Sequence, residues 1–163
     1  MKKNKGQLIV EMMVAVSLLV IGLLGIFAVL SQSLGLNRVA ANQYVAANLA
    51  AEGIEVVKNI IDANFITDEP WNLGLETQGV EYTVSYDSTS LSLENENEPL
   101  RFDEEDGAYG YDEGVETQFR RVITIENSED LTEIKVTSRV YWKDRGGIDF
   151  DIVLEDRFRN WRQ

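Results

Sequence analysis

Lys5-Gly6-Gln7-Leu8-Ile9-Val10-Glu11 leads directly into an apolar run from Met12 to Leu30, and the reading of this junction decides the fold. Only Ser17 breaks the run. At ~1.5 Å per residue the run spans about 28 Å as a helix, close to the hydrocarbon thickness of a bilayer. Lys2, Lys3 and Lys5 precede it, which predicts a cytoplasmic N-terminus. A secretory signal peptide has a shorter apolar core followed by a small-x-small cleavage site. Ser31-Gln32-Ser33 offers such a site, but the core is too long for that reading and Glu11 sits inside it. A plain membrane anchor fits the length. It gives no reason for a carboxylate at the mouth of the helix, where a charge is costly.

The same junction resembles the type IV prepilin signal: a short basic leader, a glycine before the cut and a glutamate shortly after it. The resemblance implies that residues 1–6 are a leader and that a prepilin peptidase cuts between Gly6 and Gln7 on the cytoplasmic side. It also implies that the new amine on Gln7 is methylated and that Glu11 pairs with such an amine on an adjacent subunit. The first mature residue in the family is usually Phe or Met; here it is Gln7. Val20-Ile21-Gly22-Leu23-Leu24-Gly25-Ile26-Phe27 is similar to the Ile-Gly-Leu-Leu-Gly stretch of PilV-type minor pilins, without the proline common in this part of the family's helix. Gly22, Gly25 and Ala28 are small enough to let neighbouring helices approach. The partners implied are other pilin subunits in a homo- or hetero-filament, the prepilin peptidase, the membrane and the inner-membrane pilus assembly machinery. The implied location is a single pass in the cytoplasmic membrane before assembly and the extracellular pilus on the cell surface afterwards.

Beyond Ser31 the pattern changes from uniformly apolar to one-sided. Leu36, Ala40, Tyr44, Ala47, Ala51, Ile54, Val57 and Ile61 recur at intervals of three and four, the spacing of one helix face. No proline or strong cap separates this part from the apolar run. The spacing predicts one helix from about Leu8 to about Ile61, with residues 7–30 as membrane or filament-core segment and 31–62 as amphipathic continuation. Ala50-Ala51-Glu52-Gly53-Ile54-Glu55-Val56-Val57-Lys58-Asn59 is similar to a stretch of bacterial pilin-like proteins, and it equally describes an amphipathic helix.

Residues 63–163 are expected to form a globular head. Asp62 to Gly79 reads as a connection punctuated by Pro70, Gly74 and Gly79. Val80 to Tyr86 alternates like a half-buried strand, and further strands are expected over Phe119–Glu126, Leu131–Lys143 and from Ile148 through Glu155. Ile134, Val136, Val140 and Trp142 share one face of the third of these, and Lys143 to Gly147 reads as a hairpin turn. Together they predict an α+β fold: a long N-terminal helix, both anchor and spine, packed on a roughly four-stranded antiparallel sheet. Residues 87–118 hold eleven acids against the single base Arg101, and read as a long solvated loop.

Formal net charge is −13, from 28 acidic and 15 basic side chains. That balance argues against general nucleic-acid binding, which displaces counterions with a positive surface. Arg157, Arg159 and Arg162 are the one cluster suited to DNA, but residues 119–163 carry as many acids as bases. Cysteine and histidine are both absent, which removes thiolate metal sites and the commonest general base. No nucleophile elbow or phosphate loop is present, so no enzyme and no cofactor is expected. The acidic runs Asp103-Glu104-Glu105-Asp106-Gly107 and Asp112-Glu113-Gly114 make Asp103, Asp106 and Asp112 calcium candidates, although the spacing is not that of an EF-hand. Charge runs of this kind are more often solvated surface. Three functional readings stay open at this point: a type IV pilus subunit of the minor kind, a minor pseudopilin of a type II secretion system, and a membrane-anchored extracellular binding module.

Overall fold

The computed structural model describes residues 5–75, 79–93, 98–144 and 146–160. The leader residues 1–4 and Arg162, named above, lie outside them, as do Glu94, Glu96 and Arg145. One α-helix, α1, runs from Lys5 to Ile66. The chain divides into two compact units, Met1–Ala41 and Asn42–Gln163. In the first, every described side chain from residue 6 to residue 38 is exposed. The one hydroxyl in the apolar run is satisfied locally, because Ser17 Oγ donates to Met13 O at 2.8 Å.

The second unit packs the rest of α1 on two antiparallel sheets. Seven strands follow α1: β1 (Glu81–Tyr82), β2 (Arg101–Asp103), β3 (Ala108–Gly110), β4 (Val115–Glu116), β5 (Arg120–Asn127), β6 (Glu133–Lys143) and β7 (Asp149–Arg159). The larger sheet has the order β1-β5-β6-β7 and the smaller β3-β2-β4. β5, β6 and β7 form a meander whose register runs unbroken from Arg120↔Tyr141 to Asn127↔Ile134 and from Glu133↔Arg159 to Lys143↔Asp149. Alternation places Ile134, Val136, Val140 and Trp142 of β6 inside. Two apolar clusters result. One gathers Val56, Val57, Ile60, Ile61 and Phe65 of α1 with Trp71, Leu75, Tyr82, Val84, Ile123, Ile125, Ile134 and Val136. The other joins Ala46, Leu49 and Ala50 to Leu100, Phe119, Val140 and Trp142.

The α+β architecture is as expected, and four details differ from the sequence reading. The buried face of α1 is Ala46, Leu49, Ala50, Gly53, Val56, Val57, Ile60, Ile61 and Phe65. Tyr44, expected on that face, is 72% exposed, and Leu36, Ala40 and Ala51 are exposed as well. At Ala46, Ala50 and Gly53 the stripe runs through small residues, because a helix lying close on a sheet needs little side-chain bulk at the contact. The helix also runs a turn further than Ile61. It ends in a Schellman-type cap in which Glu69 N–H donates to Asn64 O at 3.0 Å and Asp68 takes the left-handed position at φ 62°. Asn64 Nδ2 donates to Trp71 O and Leu73 O, and Phe65 stacks on Trp71 at 6.4 Å.

The expected strand Val80–Tyr86 shortens to β1, because Thr83 leaves β5 to exchange backbone hydrogen bonds with Ser92 and Tyr86 turns outward. Residues 87–118 are not a featureless loop: β2, β3 and β4 lie inside them. Gly107 closes the β2–β3 hairpin, and Gly114 lies in the connection from β3 to β4. Gly114, at φ 102°, would place a Cβ 2.4 Å from Phe102 O, so no larger residue fits there without moving the backbone.

Candidate functional site

The predicted assembly residues all lie on the exposed part of α1. Gly6, Gln7, Glu11, Gly22, Gly25 and Ala28 are helical, and none is covered within the chain. Nothing comes within 4 Å of a Cβ built on Gly22 or Gly25. Leu8, Met12, Leu19, Leu23, Leu24, Ile26, Phe27 and Leu30 are each about half exposed or more. The helix is long and apolar enough to cross a membrane. Its chemistry is that of a surface completed by lipid or by other helices, since so much apolar area is unfavourable in water. Glu11 is the one carboxylate among residues 6–38.

A second set of residues fixes the other part of α1. Arg121, on β5, is buried, and its guanidinium reaches across to the helix. Nη1 donates to Leu49 O and to Glu52 Oε1, both at 2.9 Å, and Nη2 donates to Val84 O. The Glu52 side chain is 33% exposed while that of Arg121 is fully covered, so the carboxylate balances a charge that has no access to water. Gly53, next along the helix, permits this approach. A Cβ there would lie 2.7 Å from Ile123 Cδ1, 2.8 Å from Ser138 Oγ and 3.0 Å from Arg121 Cδ. Ser138 is fully buried. Tyr111 hydroxyl donates to Arg121 O at 3.3 Å, and burial, as the largest cause, raises its pKa.

The acidic residues gather elsewhere on the head. Asp103, Asp106 and Asp112 line one cavity of about 180 Å³ together with Tyr86, Asp87 and Glu113. The charge of Asp106, then partial burial, then Asp87 and Asp103 push the Tyr86 phenol above its ordinary value. Asp103 Oδ1 accepts from Glu105 N–H at 2.8 Å, and Gly107 N–H donates to Asp103 O at 2.9 Å, which closes the β2–β3 hairpin. Among the described residues no group of three or more acidic side chains is arranged to hold a metal ion. Of the three basic candidates for DNA, the two described ones are paired. Arg157 Nη1 and Arg159 Nε both donate to Glu133, at 2.6 and 2.8 Å.

The sequence reading missed Arg121 as a structural centre. The signal was present: Phe119, Arg121, Ile123 and Ile125 alternate along one strand, and an arginine at an inward position demands a carboxylate. Glu52, beside Gly53 on an otherwise small and apolar face, is that carboxylate. No protein-family model, no curated protein and no solved structure matches the chain.

Proposed function

We propose that the chain is a structural, non-enzymatic subunit of a type IV pilus, of the minor-pilin kind, cut after Gly6 and assembled through α1. One observation carries the reading. A single helix is apolar and uncovered on all sides over residues 12–30, then becomes the buried spine of a sheet domain, with Gly6 and Glu11 at its entrance. In this account the prepilin peptidase removes residues 1–6 and leaves the helix in the product. Inner-membrane assembly machinery then transfers the helix from lipid to a bundle of subunit helices, so the apolar surface never meets water. Gly22, Gly25 and Ala28 allow close helix packing there. Glu11 is matched by the methylated amine of Gln7 on a neighbouring subunit, which offsets the cost of a carboxylate in hydrocarbon.

The experiment is to label the head on intact cells, image for surface fibres, and determine the N-terminus of sheared material. Fibres that contain the chain beginning at Gln7 are the expected result. A secretion defect without surface fibres assigns the chain to a type II secretion pseudopilus. An N-terminus at Met1 on the mature protein assigns it to the membrane-anchored binding modules.

A further inference from the structure

β7 is an edge strand of the larger sheet, and it is long, running from Asp149 to Arg159. Proteins usually shorten, cover or bulge such an edge. Here the register with β6 is unbroken, so no bulge blunts it. Asp144 N–H donates to Ile148 O and Asn160 N–H donates to Thr132 O. Even-numbered residues of β7 therefore aim their backbone groups at β6, and odd-numbered residues aim theirs at the open edge. One of those edge groups, Arg157 N–H, is held by the neighbouring carboxylate of Asp156 at 2.7 Å.

The side chains along this edge are self-complementary. We propose that β7 pairs antiparallel with β7 of a second copy, centred on Leu154, to make one continuous sheet across two heads. That register sets Asp149 opposite Arg159 of the second copy and Asp151 opposite its Arg157, and symmetry repeats both pairs. Within each chain Arg159 already touches Glu133, and Asp149 touches Lys143 at 3.5 Å. Across the pair the charges then alternate in rows: Glu133, Arg159, and the second copy's Asp149 and Lys143. On the other face Phe150 meets Phe158 and Leu154 meets itself, extending side chains that are only half-buried in one copy, while Ile152 lies opposite the exposed Asp156. A shift of one residue sets the apolar face against the charged face. A shift of two sets Asp151 against Glu155 in one direction and Glu155 against itself in the other, and like charges directly opposite are unfavourable. Leu154 thus defines the register in which opposite charges meet without such a clash.

The contact is isologous, and its twofold axis stands normal to the sheet. The α1 segments over residues 42–66 of the two heads consequently run antiparallel on one face. The pairing joins heads that meet from opposite directions, not neighbours aligned in parallel. It rests on the head alone and is independent of the pilus reading.

The chain has no cysteine, so Leu154→Cys introduces a single thiol. Full-length Leu154→Cys protein in detergent micelles, under mild oxidation, is expected to form a disulfide-linked dimer. Thr137→Cys, on the adjacent strand, is expected to stay monomeric. Adding Arg157→Asp to Leu154→Cys places like charges opposite Asp151 twice and slows cross-linking about tenfold. Adding Asp151→Arg as well restores the rate. Should Leu154→Cys fail to fold, as judged by circular dichroism, the exposed pair Val153→Cys with Glu155→Cys replaces it. Cross-linking no faster at the edge than at Thr137→Cys, or a charge swap that restores nothing, overturns the proposal.

Discussion

The two parts of α1 are one helix in two environments. Residues 12–30 show apolar side chains on every side, and every side chain from 6 to 38 is exposed. Residues 42–66 bury one narrow face against a sheet and anchor it through Arg121 and Glu52. Where the protein supplies its own partner, the helix is patterned, and its tightest contacts fall at small residues such as Ala46, Ala50 and Gly53. Where it does not, the helix is uniformly apolar, as a surface must be when its solvent is lipid or other helices. The contrast also separates two uses of glycine. Gly53 is forced by what lies against it, whereas Gly22 and Gly25 face open space within the chain.

Removing residues 1–30 breaks the comparison most severely. The truncated chain is expected to move completely from the membrane fraction to the soluble fraction while its head stays folded, as read by fractionation and circular dichroism. Glu52→Ala attacks the other part of the helix. It leaves the guanidinium of Arg121 buried without its counter-charge, a loss of about 3–5 kcal/mol for a broken buried pair. Chemical denaturation of the head reports it. Glu55→Ala on the exposed side of the same turn should cost little, since exposed pairs contribute roughly 0–1 kcal/mol.

Gly53→Val sharpens the distinction between the glycines. Overpacking against Ile123, Ser138 and Arg121 should lower head stability by about 1–3 kcal/mol. Gly22→Val and Gly25→Val should leave the head's melting temperature unchanged, and any effect should appear only in assembly. The smallest expected effect concerns pH. Hydrogen bonds from Arg159 and then Arg157 hold the Glu133 carboxyl below its ordinary value of 4.5. A depressed folded-state value means its contribution is complete above the unfolded value and is lost as pH falls through the folded one. Glu133→Gln should therefore flatten the acid limb of the head's stability profile slightly below about pH 5, measured by thermal melts across that range.

The long helix and the β5–β6–β7 meander were legible because both depend on periodicity. Met12 to Leu30 is apolar but for Ser17, and Ile134, Val136, Val140 and Trp142 share one face that only Ser138 interrupts. The rotation of the buried helix face was not legible from apolarity. Tyr44 and Leu36 carry more apolar surface than Ala46, Ala50 and Gly53, yet the close helix–sheet contact at those positions takes small residues. The small sheet inside residues 87–118 was hidden because its strands are two or three residues long and lie in a strongly acidic segment. Its surest signal was glycine placement, as at Gly114. The electrostatic centre at Arg121 needed a contact between residues far apart in sequence, although the inward arginine was visible in the alternation. The proposed assembly residues Gly6, Gln7 and Glu11 rest on the resemblance of their spacing alone, and the fold shows only that the helix carrying them is uncovered.

The central claim is that α1 is released as a mature helix beginning at Gln7 and held in a filament by charge pairing at Glu11. Mass spectrometry of the N-terminal peptide from sheared surface material tests it most directly. The account predicts a peptide that starts at Gln7, with an intact amine carrying added methyl, and predicts that Glu11→Ala protein is still cut after Gly6 but is depleted from that material. A peptide that retains Met1 contradicts the processing claim. A peptide that begins at Gln7 but has lost one ammonia and carries no methyl shows a cyclised, uncharged terminus, and contradicts the pairing of that amine with Glu11.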